Sequence, residues 1–115
     1  MNYMKKKGCC HLNNLNLFLE EDLKQYKFIL DNYECLNSED GTTAYKLAQM
    51  SIIQADRWSE ISLNASKIGK DNNIAKTDLY NWAYHKYRIL MTIHEHCRVV
   101  YRQCAEAERC RWDES

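Results

Sequence analysis

The chain has 115 residues with three glycines, no proline, and sixteen acidic against sixteen basic side chains, the arithmetic of one small domain open to long helices. Its hydrophobic fraction of 45%, with eight Tyr, three Trp and two Phe, excludes an intrinsically disordered chain. The balance is also local: residues 1–37 hold five basic and five acidic groups, residues 38–76 five and five, residues 77–115 six and six, so no basic arm for phosphates and no acidic tail is present.

Residues 1–13 read as a flexible N-terminal tail, with a single helical domain from 14 to 115. The stretch from Met1 to Asn16 has three lysines and then Gly8, Cys9, Cys10 and His11, with no apolar run behind them, so no secretory leader is expected. The six cysteines are accordingly expected as free thiols in the reducing cytoplasm, packing as small hydrophobes. No apolar run approaches the roughly 18–20 residues that cross a bilayer, and no membrane association is expected.

Turn signals at Asn37-Ser38-Glu39-Asp40-Gly41 and Gly69-Lys70-Asp71-Asn72-Asn73 divide the rest into three helical stretches. In the first, over about 14–36, Leu12, Leu15, Leu19, Leu23, Tyr26, Leu30 and Tyr33 recur at spacings of three and four and form one stripe. The second, about 43–68, opens with Thr42 or Thr43 as N-cap and closes at Gly69, read as the left-handed residue past the helix end. Its seam is Ala44, Ala48, Ser51, Ala55, Trp58, Ser62 and Ala65, small at every position but one, which admits the close approach of another helix. Leu47, Ile52, Ile61 and Ile68 flank the seam as apolar volume.

The third stretch, about 78–111, starts at Thr77-Asp78 and meets no breaker. It would be a rod of about 50 Å against about 38 Å for the second helix, so its last turns overhang. Its main stripe is Ala83, Tyr87, Leu90, His94, Cys97, Tyr101 and Cys104, with Trp82, Ile89, Ile93, Val100 and Ala107 beside it. The expected fold is all-α: a three-helix antiparallel bundle, or a long helical hairpin with a covering N-terminal helix, its third helix overhanging.

Candidate chemistry is sparse. His94-Glu95-His96-Cys97 offers imidazole and thiolate, and His94 and Cys97 share a helix face, but two ligands on one helix are half a metal site. The other half would have to come from Cys35, or from Cys9, Cys10 and His11. Packing roles for these residues are the expectation, with no cofactor, and His94, Cys97 and Cys35 as the alternative metal ligands. The glycines at 8, 41 and 69 form no phosphate loop, and Cys97 beside His94 has no oxyanion loop, so a non-enzymatic protein is expected.

Two surfaces stand out on the third helix. Tyr84, Met91, Arg98, Arg102 and Arg109 fall within about 40° of one another at about 100° per residue, and five of the six arginines lie in this helix. Arg, Tyr and Met are enriched at protein interfaces, and Arg with aromatics also holds single-stranded nucleic acid. The other surface is the overhang, where Cys104, Ala107, Cys110 and Trp112 need cover, most simply from self-association. The expectation is a helical protein–protein interaction module, an adaptor or inhibitor of a larger protein, self-associating through the overhang or the small-residue seam. Alternatives are a nucleic-acid-binding protein that uses the arginine flank, and a metal-stabilised bundle. The frequency of Asn and Lys resembles that of chains from AT-rich genomes, and small helical chains of this kind are common among phage and mobile-element proteins.

Overall fold

The computed structural model describes residues 19–114, with side chains as far as Arg111. The tail (1–13) with Cys9, Cys10 and His11, the stripe positions Leu12 and Leu15, and the side chain of Trp112 lie outside the described residues. Those described are all-α, without a strand: α1 (Glu20–Glu34), α2 (Gly41–Leu63), α3 (Ala65–Asn72) and α4 (Lys76–Glu114).

α1 starts at Glu20 with Leu19 as N-cap, later than the expected start near 14, and its first turn carries Glu20, Glu21 and Asp22, the favourable sign for a helix N-terminus. The connection to α2 is an Asx turn, in which Asn37 Oδ1 accepts from the Glu39 N–H at 2.7 Å. Asp40, not Thr42 or Thr43, caps α2: its Oδ1 accepts from the Thr43 N–H at 3.0 Å, leaving both threonines inside the first turn.

The second helix does not run unbroken from 43 to 68. It stops at Leu63, and Asn64 (φ −99°, ψ 18°) ends α2 and begins α3. Two side chains bond back onto the last turn, Ser62 Oγ to the Ser59 carbonyl and Asn64 Nδ2 to the Glu60 carbonyl, both at 2.8 Å. Such bonds compete with the backbone ladder and bend helices. Gly69 is also not the left-handed terminus. It sits inside α3, and the residue with positive φ is Asn73 (φ 56°). Gly69 is needed for proximity: its carbonyl accepts from the Ile74 N–H at 2.8 Å, and a Cβ there would run into the Ile74 carbonyl. α4 then begins at Lys76, one residue ahead of the expected Thr77 cap, and runs for 39 residues.

α2 and α4 are antiparallel and form the principal contact. All seven seam residues of α2 and α3 are buried, with Ala44, Ser51, Ala55 and Trp58 at 0% exposure. Ala83, Leu90 and Cys97 of α4, also fully buried, come from the expected main stripe. α1 covers one side of this pair, antiparallel to α2, with Ile29 its most buried residue although it stands outside the expected stripe. Tyr26 and Trp82 both meet Trp58 edge-on, at 6.2 and 5.3 Å between centroids. The Tyr33 hydroxyl and His96 Nδ1 share a hydrogen bond of 2.8 Å, and Arg57 pairs with Asp22 at 3.0 Å. The described chain is a rod of 69 × 25 × 20 Å.

Candidate interaction surface

Among the described residues two sides of α2 are covered. α4 takes the seam and α1 meets Arg57 and Trp58, while the side of Ile52 and Ile53 is exposed. This explains Ile52, which was expected to supply core volume and is 39% exposed, and its neighbour Ile53, exposed at 67%. Adjacent helical residues point about 100° apart, so an Ile-Ile pair cannot bury both side chains against one neighbour.

The open side of α2 continues onto the flank of α4 and makes a groove of two clefts that share Ile52. One is lined by Ile52, Ile53, Asp56 and Ser59 of α2 with Tyr87 and Met91 of α4. The other is lined by Tyr45, Ala48, Gln49 and Ile52 with His94, Arg98, Tyr101 and Arg102. Tyr101, expected in the core, instead lies against Tyr45 at 5.1 Å between centroids and is exposed. Gln49 Nε2 donates to the Tyr45 hydroxyl at 2.8 Å, leaving the phenolic proton free to donate.

Of the five flank residues on α4, three border this groove. Met91 is half-buried in the first cleft, and Arg98 and Arg102 stand on the second, with Arg98 3.6 Å from Glu95. Tyr84 reaches the groove through its neighbours: it stacks on Tyr80 (5.6 Å, 10° between planes) and on Tyr87 (5.7 Å, 29°). The Arg88 guanidinium lies 6.0 Å from the Tyr84 ring centre. Arg109 is apart from the groove, paired with Glu106 at 3.3 Å on the overhang.

The self-association set divides differently from expectation. Cys104 is not open: its S–H donates to the Ser38 carbonyl at 3.2 Å, and its Cβ packs against Gly41, where an added Cβ would come within 2.9 Å. The turn before α2 is its cover. Ala107 and Cys110 are exposed beyond that point. The small-residue seam is consumed by the contact with α4 and offers nothing to a second molecule.

The His94–Cys97 cluster is dispersed into packing. His94 Nδ1–H donates to the Ala48 carbonyl at 2.7 Å, which fixes the tautomer, while His96 engages Tyr33 and Glu95 engages Arg98. Cys97 is fully buried, and burial pushes its thiol pKa up, the opposite of what a nucleophile or metal ligand requires. Cys35 is exposed at the end of α1. Among the described residues, no three His, Cys, Asp or Glu side chains gather in a metal-binding arrangement, and no helix is long and apolar enough to cross a membrane.

No family model matches the chain, and no curated protein or solved structure does either. The residues of the groove are therefore the ground for a functional reading.

Proposed function

We propose that the protein is a non-enzymatic helical interaction module, an adaptor or inhibitor, whose binding surface is the α2–α4 groove. In this reading the molecule is a long α2–α4 hairpin with α1 as its cover, working in the cytoplasm with free thiols. The observation that carries it is the concentration of exposed apolar side chains on one face: Tyr45, Ile52, Ile53, Tyr80, Tyr84 and Tyr101, each 38–67% exposed. Soluble chains rarely leave a contiguous apolar patch of this kind without a partner, and arginines on its rim are the usual interface companions. The experiment is affinity capture of the tagged chain from its native cell beside Ile53→Glu and Arg98→Ala/Arg102→Ala forms. A protein retained by the wild type and lost from both variants is expected; equal recovery with all three removes the groove as the binding surface.

A second reading has one observation of its own. The Tyr80–Tyr84–Tyr87 stack beside Arg88 places partly exposed tyrosines and a guanidinium together, the residue types with which single-stranded bases are held. It requires retention of single-stranded DNA or RNA that falls with salt and with Tyr84 and Arg88 replaced by Ala. Absence of retention at low salt ends it.

A further inference from the structure

α1 is set into the molecule less deeply than the two helices it covers. Ile29 and the N-cap Leu19 are its buried side chains, against eight along α2, and its stripe of Leu23, Tyr26, Leu30 and Tyr33 is only half-buried. Its polar ties lie at the surface: Asp22 with Arg57 at 3.0 Å near the start of the helix, and the Tyr33 hydroxyl with His96 Nδ1 at 2.8 Å near its end. Ties of this exposure add little to stability. Between them the Lys86 ammonium lies 5.0 Å from the Tyr26 ring centre and forms no ion pair among the described residues. The water that α1 keeps from this charge is a cost of docking, offset in part by the rings. The turn after α1, by contrast, is anchored. Asn37 closes it as an Asx turn, and Cys104 of α4 donates to the Ser38 carbonyl and packs against Gly41.

We infer that α1 is a lid, which lifts as one unit from the α2–α4 hairpin about the connection at 35–38 while the hairpin stays formed. The contacts that hold the hairpin do not pass through α1. The buried seam of α2 faces Ala83, Leu90 and Cys97 of α4, His94 bonds to the Ala48 carbonyl, and Gly41 meets Cys104, all between α2 and α4. Elements that move are drawn from the part of a fold with the fewest buried contacts, and among the long helices that is α1. Lifting takes Tyr26 away from Trp58 and returns water to Lys86, so the lid controls access to the aromatic junction beneath it. That junction is separate from the groove of Ile52 and Ile53, and the inference does not depend on what the groove binds.

Native-state hydrogen exchange of the full chain, read amide by amide under reducing conditions, tests the lid. The amides of residues 26–33 are expected to share one opening constant, about a hundredfold or more above that of the central amides of α2 and α4. Asp22→Asn combined with Tyr33→Phe removes both surface ties and keeps the Tyr33 ring in place. This variant is expected to raise the opening of α1 by about tenfold and to leave α2 and α4 unchanged. Equal opening constants in all three long helices of the wild type overturn the inference. So does exchange in α1 that is graded inward from its ends, the mark of fraying rather than lifting. A double variant that speeds exchange in all three helices alike overturns it as well.

Discussion

Trp58 is the residue around which the three long helices meet, and its setting shows how polar groups are handled in this core. Its ring is fully buried, yet among the described residues Nε1 has no hydrogen-bond partner, and the same holds for Ser51 Oγ and Gln54 Oε1. A buried hydroxyl without a partner carries a desolvation cost, so Ser51→Ala is expected to raise stability by about 1 kcal/mol, read as a shift in urea midpoint. A loss of stability instead would mean that the hydroxyl is satisfied in solution. Cys97 gives a second residue-level outcome. Burial raises its pKa and closes access, so a thiol reagent on the native chain is expected to modify Cys35 and Cys110 first and Cys97 only as fast as the protein opens.

At the scale of elements, periodicity was a good guide to which residues face inward and a poor one to where helices stop. The seam of α2 and α3 was readable because small residues at alternating spacings of four and three have few uses other than close helix contact. The Asn64 break was not readable from that pattern, since it depends on side chains bonding back to the Ser59 and Glu60 carbonyls, and neither Ser nor Asn forbids a helix. Gly69 misled because glycine serves two ends: a left-handed φ, or room for another backbone. Here the second applies, and Asn73 takes the left-handed position. Gly69→Ala is therefore expected to destabilise by about 1–3 kcal/mol through overpacking against Ile74, whereas a left-handed helix terminus would give a backbone-strain cost relieved by Asn. Thermal denaturation of Gly69→Ala beside Gly69→Asn separates the two, with both variants destabilised here.

Across the whole molecule, the candidate surface was half legible. Met91, Arg98 and Arg102 could be found from one helix because they share a flank. Tyr45, Ile52 and Ile53 could not, because their exposure follows from which side of α2 is left after α1 and α4 have packed; the adjacent isoleucines were the signal available. The junction of α1, α2 and α4 also holds a half-buried cation. Lys86 Nζ lies 4.5 Å from the Trp82 ring centre, 5.0 Å from that of Tyr26 and 5.8 Å from that of Trp58. Desolvation lowers its pKa below the ordinary 10.5, with the rings' attraction offsetting part of that cost. The unfolded chain then binds the proton more tightly than the folded one. Stability gains from this group as pH climbs from the folded pKa towards 10.5, and the gain is absent below that window. Urea unfolding across the alkaline range is expected to show this upward contribution in the wild type and not in Lys86→Met; identical slopes would count against it.

Two close approaches bracket the hairpin: Gly41 against Cys104 at one end, and Gly69 against Ile74 at the other. Between them the α2 seam is nearly featureless, so a slide of α4 by seven residues, about 10 Å, would set Ala or Ser against much the same neighbours. Trp58, the His94–Ala48 hydrogen bond and the two glycine contacts remove that degeneracy. They act as stops on a track that is otherwise smooth, and the axial setting of the hairpin is therefore decided at a few points rather than evenly along its length. A chain with Ala at position 41 and a smaller residue at 58 would keep its helices and lose its single alignment, populating slipped pairs with the same helical content and different faces exposed.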